Sequence, residues 1–461
     1  MLKPRNIMIV VVCLVVIGLA VVYLPGQNAS AKILAESLRP IVGIMEGGLA
    51  PTSAAPNDVK PFDNPGTNPD FIVSGTYIPQ KIFKLWLPNM VQAGGSKTIV
   101  IPTPPTGKFT KENMVKGPDL IYTGSNTVMK IFWQWTTNVS FQLEWGVSPS
   151  FSTGSATVST YDSTNHLYAY TITGLTPNQK YEYRVIIGSQ SSAGSFLTAP
   201  SDSATSLKFV SYGDTRSNPN LHDAVAAQVV ALFQSDPAYQ TISLNVGDLV
   251  ADGNTNSLWD SEYFSPIFTN IRTEMANMSV LPVMGNHEGS GDLLQRYFPM
   301  PFVSARYWSF DYGPAHFVML DQYTAYTTGT AQFNWLQSDL AATNKKWKIV
   351  VLHEPGWSAN GGHPNNTFVQ NQLEPLFEKY GVALVLAGHN HYYARAVVNG
   401  IQHLTIGTGG APTYSPTIGQ PNIVKTYQGT GFNKFEINGS TLTSWFLNNK
   451  GVVQDTFTLT R

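Results

Sequence analysis

Asp214, Asp248, Asn286, His353, His389 and His391 are the residues of this 461-residue chain whose types and order best suit cation chemistry. Two carboxylates, an amide oxygen and three imidazoles can share a pair of divalent ions, one carboxylate bridging and open positions left for water and substrate. They stand in five short stretches: Gly213-Asp214, Gly247-Asp248, Gly285-Asn286-His287-Glu288, Val351-Leu352-His353 and Gly388-His389-Asn390-His391. Gly213, Gly247, Gly285 and Gly388 allow tight turns and close approach of backbone to an ion. Taken singly, each donor has an ordinary reading. An Asp after a strand is commonly a turn former or helix cap, and a lone histidine is more often a hydrogen-bonded core residue. Their ordered co-occurrence is what predicts a site.

The stretches follow or end apolar, β-branched runs at 207–212, 242–246, 280–284, 349–352 and 382–387, each of which reads as a buried strand. In open α/β sheets, ligands bind beyond the carboxyl ends of the strands, so these runs would deliver their donors to one rim. Helical periodicity at 221–234, 332–340 and 369–380 alternates with the runs, which predicts an α/β layered domain over 201–461. Antiparallel strands are expected at 307–312 and 316–320, and 411–461 reads as β-type sequence completing the domain's second sheet. Eight of the nine histidines fall in residues 201–410. His316 and His403 lie inside apolar strands and read as buried, hydrogen-bonded residues rather than ligands.

Ahead of this domain, residues 111–200 carry short alternating segments at 128–135, 139–145, 167–172 and 181–187, with turns at sandwich-like spacing. Gly174-Leu175-Thr176-Pro177, followed by Tyr181 and Tyr183, resembles the turn and tyrosines of fibronectin type III modules. Residues 32–110 read as a Pro-rich linker or stalk, with candidate added strands at 82–87 and 98–101. Lys3 and Arg5 precede an uncharged apolar run at 7–24, and Ala29-Ser30-Ala31 suits a signal peptidase. Residues 1–31 are therefore expected to be a signal peptide or a membrane anchor, with the rest of the chain extracytoplasmic. Cys13 is the single cysteine, which excludes an intrachain disulfide and a thiolate metal site. Net charge is -1, which gives no electrostatic reason to expect nucleic acid as a partner. Oligomeric state is left open. Asn-x-Ser/Thr triplets begin at Asn28, Asn138, Asn277, Asn365 and Asn438, a number that chance allows in so Asn-, Ser- and Thr-rich a chain.

The ordered motifs GD, GD, GNH(E/D), H and GHxH resemble the calcineurin-like metallophosphoesterase superfamily, and within it the purple acid phosphatase branch. The resemblance implies a multidomain fold: a fibronectin III-like β-sandwich followed by a four-layer α/β/β/α domain. It also implies that Asp248 bridges two metals, Fe, Zn or Mn. Asp214 and His391 would serve the first metal, and Asn286, His353 and His389 the second. His287 would contact the phosphoryl oxygen or leaving group, and His363 stands at the spacing of a substrate-contacting histidine. Two departures stand out. The superfamily's D-x-H reads Asp214-Thr215-Arg216 here, and the tyrosine that purple acid phosphatases place three residues after the bridging aspartate is Ala251. The first metal is thus one ligand short, with His222, Tyr212 or a water as replacements, and no purple colour is expected. Arg216 is suited to gripping a phosphate oxygen.

The chemistry so implied is hydrolysis of a phosphate-ester substrate by a metal-bridging hydroxide, with charge neutralised by the cations, Arg216 and His287. His287 or His363 would protonate the leaving alkoxide. Two competing readings remain at this stage. One is a phosphodiesterase acting on nucleotides or envelope components, and the other a surface binding protein with a degenerate metal site.

Overall fold

In a computed structural model the described residues are 113–461 and four short strands: Gly107–Lys108 and, in a separate unit, Val11–Cys13, Ala20–Tyr23 and Phe71–Ile72, which pair antiparallel. The expected signal or anchor at 7–24 and the linker at 32–110, with strands at 82–87 and 98–101, otherwise lie outside the described residues. No helix among the described residues is long and apolar enough to cross a membrane.

Seven strands open the continuous part: β1 Met114–Tyr122, β2 Met129–Trp135, β3 Phe141–Val147, β4 Gly154–Val158, β5 Leu167–Ile172, β6 Lys180–Ile187 and β7 Gln190–Leu197. One sheet has the order β1-β2-β5, and the other β7-β6-β3-β4, with Gly107–Lys108 added beside β7. Alternation puts Ile131, Trp133, Leu143, Tyr168, Tyr183 and Val185 of the two sheets into one core. Tyr181, at the start of β6, accepts the Thr176 N–H on its hydroxyl at 3.0 Å, which pins the preceding turn.

The remaining strands form two mixed sheets. The first holds β8 Ser206–Tyr212, β9 Ile242–Asn245, β10 Ser279–Pro282 and, from further along the chain, three C-terminal strands. The second is built from β11 Trp308–Tyr312, β12 Ala315–Met319, β13 Trp347–Val351, β14 Val382–Ala387, β15 Tyr393–Val398, β16 Ile401–Ile406 and β17 Ile423–Tyr427. The C-terminal strands are β18 Gly431–Asn438, β19 Thr441–Asn448 and β20 Val453–Thr460. Residues 411–461 therefore divide between the sheets: β17 joins the second, whereas β18 pairs antiparallel with β8 of the first.

The two sheets pack face to face. Phe209 of β8 stacks on Phe435 of β18 at 4.6 Å and meets Phe317 of β12 edge-on at 5.3 Å. Helix α1 Pro219–Ser235 covers the outer face of the first sheet through Val225, Val229 and Phe233. Helices α2 Ala331–Ala342 and α3 Glu374–Tyr380 cover that of the second through Phe333, Leu336 and Phe377. The result is four layers, α/β/β/α. Because β8, β9 and β10 run parallel, as do β12, β13, β14 and β16, each sheet presents its strands' carboxyl ends as one rim.

Contacts across the sandwich boundary are buried and polar. Lys116 of β1 is fully buried, pairs with Asp260, donates to Gln134 Oε1 at 2.7 Å and sits 4.4 Å from the centre of the Tyr297 ring. Tyr183 donates its hydroxyl to the Ala276 carbonyl at 2.9 Å.

Candidate metal centre

All six expected donors lie on loops at these two rims. Asp214 follows β8, Asp248 follows β9, Asn286 follows β10, His353 follows β13, and His389 and His391 follow β14. Backbone bonds tie the loops into one floor. Asp214 N–H donates to the Gly247 carbonyl at 2.8 Å and Gly388 N–H to the His353 carbonyl at 2.9 Å, while His389 N–H donates across to Asp214 Oδ1 at 3.0 Å. A Cβ on Gly285 would run into Asp248 Oδ1, and one on Gly388 into Asp214 Oδ2, so these loops meet only because both positions are glycine. Asp214, Asp248 and His389 have φ of 54°, 57° and 68°. Left-handed backbone at non-glycine residues is held against a local cost of about 1–3 kcal/mol each, and it concentrates at functional sites.

The imidazoles are committed in a way that reveals their free nitrogens. His353 Nδ1 lies 2.7 Å from the Val246 carbonyl and His391 Nδ1 2.7 Å from the Pro412 carbonyl. A carbonyl only accepts, so each Nδ1 carries a proton and each ring turns its Nε2 inward, the atom left to bind an ion. His353 Nε2 then faces Asn286 Oδ1 at 3.1 Å and Asp248 Oδ1 at 3.4 Å, and His391 Nε2 faces Asp214 Oδ1 at 3.4 Å. His389 Nδ1 stands 3.0 Å from the same Asn286 Oδ1. Burial works against a charged His353, but Asp248 and Asp214 outweigh it and raise the group, so a proton closes this contact and a cation can replace that proton. Bonds of about 2.1 Å at right or tetrahedral angles separate neighbouring donors by about 3.0–3.4 Å, the spacing found here. Asp214, Asp248 and His353 also offer atoms all within 4.8 Å of one another. The side formed by Asn286, His353, His389 and Asp248 therefore fits a divalent ion.

Electrostatics follow from the crowding. Burial would raise the Asp248 carboxyl, but His353, His287, the His287 N–H and Arg216 outweigh it and hold the group below the usual range. Burial and the neighbouring imidazoles of His353 and His363 push His389 down to about 3, leaving the neutral ring that a metal requires.

The other side is poorer. His222 does not join the donors: it lies on the buried face of α1 between Tyr212 and Tyr263, its Nε2 3.3 Å from the Tyr212 hydroxyl, and burial lowers it to about 3. Tyr212 is turned to the same outer face and donates to Glu274 Oε2 at 2.7 Å. Both were candidate replacements for the missing ligand, and helix phase and strand alternation carry both away from the rim. Arg216 does reach it: Nε lies 3.4 Å from Asp248 Oδ2 and Nη2 3.5 Å from His391 Nε2.

Around the donors, His287 Nδ1 donates to the Ala251 carbonyl at 2.6 Å, so its Nε2 faces the site, 3.9 Å from Asp248 Oδ2. His363 stacks on His389 with centroids 3.9 Å apart. Several supporting residues have no role in the sequence reading. Glu288 is fully buried and accepts three backbone N–H groups, from Asp248 at 2.9 Å, Leu249 at 2.7 Å and Gly285 at 2.7 Å. Asn390 accepts the His363 N–H at 2.7 Å and donates to Ser358 Oγ at 2.9 Å, which anchors the His363 loop. Both residues stand inside quoted motifs, and a buried polar position between ligands was the available signal. Tyr414 stacks on His391 at 4.2 Å with its hydroxyl 3.5 Å from His363 Nε2, and nothing in its local sequence marks it.

Comparison with known proteins adds the family context. Residues 213–393 match the calcineurin-like phosphoesterase family. Purple acid phosphatase 21 of Arabidopsis thaliana is 30% identical over 305 residues, covering 59% of this chain and 66% of that protein. The chain spans from about a quarter to about two thirds of the lengths of the first curated relatives it matches. Among solved structures, the purple acid phosphatase PPD1 of yellow lupin superposes with a TM-score of 0.60 at 19% identity, covering 75% of this chain and 74% of that one. PhoD superposes with a TM-score of 0.56 at 13% identity, covering 77% and 90%. At such identities these two establish the fold alone.

Proposed function

This chain belongs to the calcineurin-like phosphoesterases, in the branch that resembles purple acid phosphatases, and on that premise we propose that it is a metal-dependent phosphoesterase, acting as an extracytoplasmic phosphomonoesterase. The observation that carries the reading is the pair of inward-facing Nε2 atoms, on His353 and His391, set against the oxygens of Asp248, Asn286 and Asp214. Asn286, His353, His389 and Asp248 would hold one ion, and Asp214, Asp248 and His391 would face a second. Fe, Zn and Mn all suit these donors. When bound, such ions lower the pKa of a coordinated water towards neutrality and polarise phosphoryl oxygens.

The chain's own groups do the rest. Arg216 offers a guanidinium fork beside Asp248, suited to phosphoryl oxygens on which charge builds in the transition state. His287 is fixed in its tautomer by the Ala251 carbonyl and is half-buried at the mouth, where Nε2 can pass a proton to the leaving alkoxide. His363, stacked on His389 and held through Asn390, forms the facing wall. No side-chain nucleophile enters the scheme. The hydroxyls of Tyr414, Tyr323 and Tyr212 are turned to His363, Glu354 and Glu274, so no tyrosinate–iron colour is expected.

The sandwich order β1-β2-β5 over β7-β6-β3-β4, with its pinned tyrosine turn, supports a fibronectin III-like module. The basic residues and apolar run at the N-terminus support the extracytoplasmic placement. Assays on p-nitrophenyl phosphate and bis-p-nitrophenyl phosphate, before and after metal stripping, test the function. We expect faster hydrolysis of the monoester, lost on chelation and restored by added metal. Faster diester cleavage would make the chain a phosphodiesterase, and hydrolysis that survives complete stripping would overturn the metal-dependent reading.

A further inference from the structure

The two halves of the donor set are unequal, and the inequality has a physical cause in one side chain. Four donors surround the Asn286 side: Asp248 Oδ1, Asn286 Oδ1, His353 Nε2 and His389 Nδ1. Asp214, Asp248 Oδ2 and His391 Nε2 face the other side. Both positions that could have added a ligand there are occupied by residues that add none. Ala251 has no donor in its side chain, and its N–H is bonded to Glu262 Oε2 at 2.8 Å. Arg216, where the superfamily motif reads histidine, is a cation.

The Arg216 guanidinium does not point away from the gap. Nε is buried without a hydrogen-bond partner of good geometry, and Asp248 Oδ2 lies 3.4 Å from it. Nη2 lies 3.5 Å from His391 Nε2, the lone pair that an ion on this side would need. Nη1 reaches Ser217 Oγ at 3.3 Å, and the Ser217 N–H is bonded to Glu262 Oε2 at 2.9 Å, so the same carboxylate ties down the Arg216 loop and the Ala251 loop. A guanidinium at van der Waals range of both donors places positive charge where a metal ion would have to sit. Like charges at that separation, shielded from solvent, repel strongly.

We propose that Arg216 is a built-in cation standing in for the first ion, so that this chain holds a single ion, on the Asn286 side. The inference rests on the metal-dependent reading above and refines it. Arg216 offsets charge on Asp248 in the resting site and presents its fork to the phosphate ester next to the single ion. The site is then a one-metal, one-arginine centre in which the arginine takes a metal's place with a single positive charge.

The test counts ions rather than turnover. The full chain is stripped with a chelator, reloaded with Mn²⁺, freed of excess by gel filtration, and examined by elemental analysis and electron paramagnetic resonance. The wild type is expected to retain one Mn²⁺ with an uncoupled signal. Arg216→His, which removes the cation and restores an imidazole, is expected to retain two with an exchange-coupled signal. Arg216→Gln removes the charge without adding a ligand, and a second equivalent should then bind about tenfold or more tighter than to wild type, read by calorimetric titration. Thermal melts establish that each variant is folded. Two ions retained by the wild type, or one retained by Arg216→His with no gain for Arg216→Gln, would overturn the proposal. A wild type that retains none would instead remove the metal-dependent reading on which it rests.

Discussion

Among the described residues, two clusters combine histidine with two aspartates, and they are built on opposite principles. At the rim, His353 and His391 spend Nδ1 on backbone carbonyls and hold Nε2 3.4 Å from Asp248 and Asp214, the spacing of neighbouring donors around an ion. At the far edge of the second sheet, His316 of β12 spends both nitrogens on carboxylates: Nδ1 meets Asp311 at 2.7 Å and Nε2 meets Asp339 at 2.9 Å. Carboxylates only accept, so His316 must carry both protons. A hollow of about 700 Å³ opens beside it, lined by Asp202, Asp311, Asp339 and Lys345 among others. That hollow opens at the salt clasp, where both imidazole nitrogens are spent on carboxylates. How closely a histidine's second nitrogen is held to its acceptor, 3.4 Å at the rim and 2.9 Å at the clasp, separates a ligand from a clasp better than the count of acids around it.

Substitutions at the rim should break that contrast hardest. Asp248→Ala removes the donor shared by both sides of the site and the carboxylate facing His353 Nε2, so metal retention and hydrolysis should both be abolished. Elemental analysis with the monoester assay checks this. His287→Ala should leave metal content near wild type and lower turnover by roughly 10²–10⁴-fold, the usual range for a lost general acid. Unchanged turnover would remove the acid role. Glu288→Gln sharpens the comparison one layer out. Its carboxylate holds the Asp248 and Gly285 loops together, and loss of such a supporting contact typically costs about 10–100-fold in metal affinity or activity. Calorimetric titration of metal into the stripped variant reads it directly.

The rim was legible because its signals are local. An apolar run that stops at Gly-Asp or Gly-His marks a strand end whatever the rest of the fold does, and parallel strands then bring those ends together. What was not legible depends on phase or on distance in the chain. His222 lies only eight residues past Asp214, and sequence proximity suggested a ligand. The phase of α1 decides otherwise, placing it among Tyr212, Tyr263 and Glu274 behind the sheet. Tyr414 reaches His391 from a loop more than twenty residues downstream, and no periodicity announces it. The C-terminal strands show the same limit: their alternation marks them as β, but only packing decides that β18 pairs with β8 rather than extending the other sheet.

The clasp provides the gentlest test and the one with a sign. Burial alone would lower His316, but its hydrogen bonds to Asp311 and Asp339 outweigh burial and raise it to about 8, from 6.5. Lys345 also faces the cluster, 3.9 Å from Asp311 Oδ2. A histidine bound more tightly as a cation in the folded chain stabilises the fold fully below about pH 6.5, and that contribution disappears as pH rises through about 8. Because Asp311 is partly open to solvent, the clasp contributes only about 1–2 kcal/mol. His316→Gln should therefore melt below wild type at pH 6, and the two curves should converge by pH 9. A gap that persists undiminished at pH 9 would mean that His316 holds the edge by shape rather than by charge, and the contrast between ligand and clasp would then lose its second half.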